Sequence, residues 1–256
     1  MKKTTRRACL GMLGALALGA LPAASALGQA SCGCQTERSM ALFFGDSITA
    51  YTGASDTAHG FTSLIAAGLG VTQDNRGVSG DTLAQTVQVM ATVSPPSQYE
   101  VVVWLAGFND NLTHGTDATA LATFQAQMTA ALLYLTSHQR QPEARSVQEK
   151  VLLRQGKLPA VPDGCSVWVG NCIKPLNYAA GGLPPAYLFG SDAGQAAYNV
   201  AIAAAVANVA AQGRRVHLVD VASAYNTATM VSGDQVHPND TGHAYLASTF
   251  LTAMAT

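Results

Sequence analysis

Short apolar runs alternate with longer, alanine-rich segments along this 256-residue chain. The runs lie at 40–44 (MALFF), 101–105 (VVVWL), 166–169 (SVWV) and 216–221 (VHLVDV), with a weaker one near 70–76. They are β-branched or aromatic and nearly continuous rather than alternating, as strands buried on both faces are. Between them, helical patterns cover about 60–69, 81–92, 118–138, 192–212 and 240–254. Ser191-Asp192 and Asn239-Asp240 are suited to helix N-caps. Strands alternating with helices predict an α/β domain, a three-layer α/β/α sandwich on a mainly parallel five-stranded sheet. In such sheets functional residues gather beyond the carboxyl ends of the strands.

The first thirty residues stand outside this pattern. A basic start (Lys2, Lys3, Arg6, Arg7), an Ala/Leu/Gly-rich run at 8–21 and small residues around Ala24-Ser25-Ala26 have the layout of a secretory signal peptide. Thr5-Arg6-Arg7-Ala8-Cys9-Leu10 resembles a twin-arginine export signal, and cleavage is expected after Ala26 or Ala30. The apolar run is too short and too rich in small residues for a membrane anchor. Gln29 stands where a lipoprotein signal ending at Cys32 would need an aliphatic residue. The expectation is an exported protein, periplasmic or secreted, with a single domain at 31–256. Residues 139–164 carry five basic residues and read as an insertion with a solvated, charged face.

Export alters the charge and the meaning of the cysteines. Without residues 1–30 the chain keeps ten of its Lys/Arg and all 15 Asp/Glu, a net charge of −5, which argues against nucleic acid or an anionic membrane as partner. Cys32, Cys34, Cys165 and Cys172 remain, an even number for an oxidising compartment, so disulfides are expected. A strand running through both Cys165 and Cys172 would hold them roughly 20 Å apart, too far to pair. Cys165 would then lie within reach of Cys32 or Cys34, whereas a shorter strand leaves a Cys165–Cys172 link open. Zinc is disfavoured by the cysteine spacing and the lack of a suitably placed histidine.

The first apolar run stops at Gly45-Asp46-Ser47. Gly, Asp and Ser make turns and helix caps, but a turn also displays a hydroxyl. A serine becomes a nucleophile when a histidine takes its proton, an acid orients that histidine and donors await the oxyanion. Of the mature histidines, His59, His114, His138, His217 and His243 read as structural or surface residues. His237 differs, lying three residues after Asp234 in Gly233-Asp234-Gln235-Val236-His237-Pro238-Asn239, a spacing that one turn closes. Gly80 follows the second strand, and Asn109 follows the third within Gly107-Phe108-Asn109-Asp110. Asp46 and Asp110 read as turn and capping residues.

This ordered set resembles the SGNH hydrolases, also called GDSL esterases and lipases. Ile48 stands where the family name has Leu. The resemblance spans 43–238 and implies a flavodoxin-like sheet. It also implies Ser47 as nucleophile, His237 as base and Asp234 as its orienter. The Ser47 and Gly80 N–H groups and the Asn109 amide would form the oxyanion hole, with no metal or organic cofactor. The expected activity is hydrolysis of acetyl, short-chain or lipid esters, on a small-molecule, lipid or acylated-carbohydrate substrate. Acyl transfer to a sugar or other alcohol by the same triad, and a non-catalytic binding module, are the alternatives. Tyr178, Leu183 and Tyr187, in the Gly/Pro-rich 173–190 segment, are candidates to line a substrate pocket, or to pack that loop onto the domain.

Overall fold

The computed structural model describes residues 40–93, 99–137, 165–179 and 189–256. The leader expected at 1–30, the insertion expected at 139–164, His138, Leu183, Tyr187, Cys32 and Cys34 lie outside the described residues. Five strands form one sheet: β1 (Met40–Gly45), β2 (Thr72–Gly77), β3 (Tyr99–Leu105), β4 (Ser166–Gly170) and β5 (Val216–Val219). All four neighbouring pairs are parallel and the order is β2-β1-β3-β4-β5. The order reverses between β1 and β3, which marks the crevice above those two strand ends as the place for a ligand.

Among the described residues, seven α-helices accompany the strands: α1 (Phe61–Leu69), α2 (Leu83–Thr92), α3 (Phe108–His114), α4 (Ala118–Ser137), α5 (Asp192–Ala210), and, after β5, α6 (Thr227–Met230) and α7 (Asp240–Met254). Because strand side chains alternate, each central strand feeds two cores. Leu42, Phe44, Val102, Trp104, Val167 and Val169 pack with α2, α4 and α5. Ala41, Phe43, Val101, Val103 and Leu105 pack on the other face with Phe61 and Ile65 of α1 and Leu246 and Phe250 of α7. The sandwich is therefore three-layered. Each fully buried Val, Leu, Ile or Phe among them stabilises the fold by about 1.5–3 kcal/mol. No described helix is long and apolar enough to cross a membrane.

Three local features differ from the sequence pattern. The weak second strand runs Thr72–Gly77 and is polar because it lies at the sheet edge. β5 is shorter than its apolar run, since Asp220 turns the chain by accepting from the Ala222 and Ser223 N–H groups. His114 ends the short α3 rather than lying in a loop.

No disulfide joins described residues. Cys165 and Cys172 flank the five-residue β4 and are not bonded to each other, as the strand length requires. Both are buried, and burial pushes the Cys165 thiol up to about 12 and that of Cys172 well above its ordinary value.

Candidate active site

The chain leaves β1 through Gly45, whose φ of 150° suits glycine; a Cβ there would run into Thr49 Oγ1 and the Leu105 carbonyl. Asp46 Oδ1 accepts from the Ile48 N–H at 3.0 Å, and the Asp46 and Ser47 carbonyls accept from Ala50 and Thr52 at 3.0 and 2.9 Å. These bonds fold residues 46–52 into tight turns that fix Ser47 at the strand end. Asp46 is buried, and that burial pushes its carboxyl up to about 6 despite the Ile48 N–H and nearby His237. Its bond pattern is that of a turn former.

The histidine arrives on the turn before α7. Ser232 N–H donates to the His237 carbonyl at 2.8 Å and Gln235 N–H to the Ser232 carbonyl at 3.0 Å, closing the turn on itself. Asp234 Oδ1 accepts three bonds: from Ser232 Oγ at 2.6 Å and from the Val236 and His237 N–H groups at 2.9 Å. Its other oxygen, Oδ2, accepts from His237 Nδ1 at 2.6 Å, and His237 Nε2 stands 2.9 Å from Ser47 Oγ. With Nδ1–H facing the carboxylate, Nε2 is the acceptor for the Ser47 hydroxyl. Partial burial works against the Asp234 charge. The bonds from Ser232, the two backbone N–H groups and His237 outweigh it and hold the carboxyl well below its usual range. The arrangement can pass a proton from a serine oxygen to an imidazole held by an ionised acid.

Glycine and helix capping bring the two turns together. Gly53, with φ 91°, sits so close to Pro238 and His237 that a Cβ would collide with both. Ser55 N–H donates to Asp240 at the start of α7 at 2.7 Å. His243 accepts from the Phe61 N–H at 3.3 Å and lies 3.2 Å from the Thr52 carbonyl. It is fully buried, and that burial keeps its imidazole below its ordinary pKa. His59 pairs with exposed Asp56, and His217 stacks on Trp168 with ring centroids 4.1 Å apart.

The two residues expected as donors, Gly80 and Asn109, follow the next two strands. Gly80 has φ 85°, and its loop is tied to β1 by the Val78 N–H donating to the Gly45 carbonyl at 3.0 Å. Asn109, 5% exposed in the first turn of α3, donates through Nδ2 to the Asp81 carbonyl at 2.9 Å. That bond uses one amide N–H and leaves the other. Asp110 accepts from the Leu83 N–H at 3.0 Å, bracing α2 against α3, and burial pushes its carboxyl up to about 6.

The structure thus brings Ser47, His237 and Asp234 into one bonded chain, and braces the Gly80 loop against Asn109 and β1. Tyr178 packs against the α2–α4–α5 core and over Gly190, a loop-packing position. Sequence reasoning missed Ser232, whose hydroxyl holds the acid; a serine two residues ahead of an aspartate in a Gly-containing turn was its one trace.

The family model described as GDSL-like Lipase/Acylhydrolase family matches residues 43–245. Among solved structures, the lipase/acylhydrolase from Enterococcus faecalis aligns with a TM-score of 0.57 at 18% identity, over 84% of this chain and 95% of that chain. A carbohydrate acetylesterase from Sinorhizobium meliloti aligns at 0.56 and 14% identity, over 85% and 99%. A salicylyl-acyltransferase from a tetracycline biosynthetic pathway aligns at 0.57 and 15% identity, over 85% of this chain and 54% of that chain. At such identities these structures speak for the fold. A search of curated proteins returned no significant match.

Proposed function

Because the chain belongs to the GDSL-like lipase/acylhydrolase family, we propose that it hydrolyses carboxylic esters through an acyl-enzyme on Ser47. The observation that carries this reading is the unbroken chain from Ser47 Oγ to His237 Nε2 at 2.9 Å and from Nδ1 to Asp234 at 2.6 Å. As Ser47 Oγ bonds to the acyl carbon, its proton passes to Nε2 and the carbonyl electron pair moves onto oxygen. The N–H groups of Ser47 and Gly80 and the remaining Asn109 N–H stabilise that oxyanion. Its collapse breaks the bond to the alcohol, which leaves with the proton from Nε2. Water then repeats the sequence on the acyl-enzyme and releases the acid.

The substrates we favour are acetyl, short-chain acyl or lipid esters, met outside the cytoplasm after export and loss of residues 1–30. Fractionation with an antibody against the folded domain should show one shorter form in the periplasm or medium. Purified mature protein should hydrolyse p-nitrophenyl esters, with the acyl-length profile identifying the acid. Ser47→Ala should lower kcat by roughly 10⁴-fold or more while leaving the thermal transition intact. Full esterase activity in that variant contradicts the proposal.

A further inference from the structure

The three groups expected to meet the oxyanion lie on separate stretches of chain: Ser47 in the turn after β1, Gly80 in the loop after β2, and Asn109 in α3. Their spacing matters, since a misplacement of about 1 Å can cost on the order of 10²-fold in rate. The Asn109 bond to the Asp81 carbonyl ties the second stretch to the third. The first and second are tied by β2, at two points on either side of the serine. Val78 N–H donates to the Gly45 carbonyl at 3.0 Å, two residues before Ser47. Asn75 Nδ2 donates to the Thr49 carbonyl at 2.7 Å, two residues after it.

The Asn75 carboxamide does more than close that bracket. It also donates to Thr62 Oγ1 of α1 at 3.1 Å, and its Oδ1 accepts from the Gly77 N–H at 2.9 Å. One planar group therefore joins the serine turn, α1 and the chain leading into the Gly80 loop. Thr49 and Thr62 are fully buried, so water does not compete for these bonds. Without the carboxamide the Thr49 carbonyl would lose a buried partner, and the turn would shift to find another. The fit is close, because a Cβ on Gly77 would come within 2.7 Å of the Thr49 carbonyl carbon and Ala50 N. Gln73 supplies the contrast. It lies on the same face of β2 as Asn75, and its Nε2 donates to Ser63 Oγ of α1 at 2.9 Å. That bond ties strand to helix and leaves the serine turn alone.

We propose that Asn75 is a positioning residue for the reaction, its carboxamide holding the Ser47 and Gly80 N–H groups at the spacing an oxyanion requires. The proposal rests on the esterase reading. The test measures p-nitrophenyl acetate hydrolysis, with rates expressed per site titrated by a fluorophosphonate. Asn75→Leu removes all three bonds at similar volume. Asn75→Asp keeps the acceptor for Gly77 and turns a carboxylate oxygen toward the Thr49 carbonyl. Both should lower kcat by about 10–100-fold and change KM by less than about threefold. Both should also weaken inhibition by a short-chain trifluoromethyl ketone, whose adduct on Ser47 carries an oxyanion, by the same factor as kcat/KM. Gln73→Leu should lower Tm by a few degrees and leave kcat within about twofold of wild type. Wild-type kcat in either Asn75 variant, an equal loss in Gln73→Leu, or unchanged ketone inhibition despite lower kcat overturns the inference and leaves the esterase reading standing. A wild type that cleaves no p-nitrophenyl ester, or whose activity survives Ser47→Ala, overturns both.

Discussion

The turn after β1 and the turn before α7 each place an aspartate beside a residue of the Ser47–His237 pair, yet they treat the carboxyl in opposite ways. Asp46 is buried, accepts one turn N–H from Ile48, and is pushed up to about 6 by that burial. Asp234 is 38% exposed at its side chain, receives four bonds, and is held ionised well below its usual range. Adjacency in sequence therefore does not choose the acid. On the proposed reading, the turn that supplies donors to a carboxylate makes an orienter, and the turn that withholds them makes a structural plug.

Exchanging each acid for its amide tests this difference most harshly. Asp234→Asn should lower kcat by about 10³–10⁴-fold, because an amide no longer fixes the imidazole tautomer. Asp46→Asn should cost less than tenfold. Steady-state kinetics on one ester decides, and the reverse ranking would show that the acid is misassigned. Asn109→Ala should lower kcat by about 10²–10³-fold through loss of an oxyanion donor, with KM changed far less.

The two environments also predict opposite responses of stability to pH. For Asp46 and Asp110 the folded value of about 6 lies above the ordinary carboxyl value of 3.8. Between these pH values the folded state holds protons that the unfolded chain has released, so stability falls as pH rises from about 4 to 6. The fall is on the order of 2–3 kcal/mol per carboxyl. Asp110→Asn should flatten part of that slope in urea melts taken across this range. Asp234 has a depressed folded value and works the other way, adding stability above the ordinary carboxyl range that is lost only as pH falls through its folded value. The smallest effect expected is that of Ser232→Ala. Losing one hydrogen bond of about 1 kcal/mol should reduce kcat/KM roughly fivefold and move the acid limb of the pH profile.

What the residue pattern could convey follows the same physics. β1, β3 and β4 were legible because strands covered on both faces leave continuous apolar runs. β2 was faint because an edge strand satisfies itself with pairs such as Asp74 with Arg76 and Tyr99. α3 was invisible: seven residues rich in Asn and Asp between two glycines read as a turn. Burial of Phe108 and Leu112 and the Asp110 bond to α2 make it a helix. At the site, residue types and their order pointed to Ser47, Gly80, Asn109, Asp234 and His237, since chemistry restricts those positions. The roles of Ser232 and Asn75 were not legible, because they lie in the direction of a hydroxyl and of a carboxamide.

Covalent labelling tests the central claim most directly. The purified protein, treated with a fluorophosphonate and digested for peptide mass spectrometry, should carry a single adduct on Ser47. His237→Ala should abolish labelling, and Asp46→Asn should retain it. Ester hydrolysis that persists with Ser47 unlabelled, or an adduct on another residue that abolishes activity, would contradict the account.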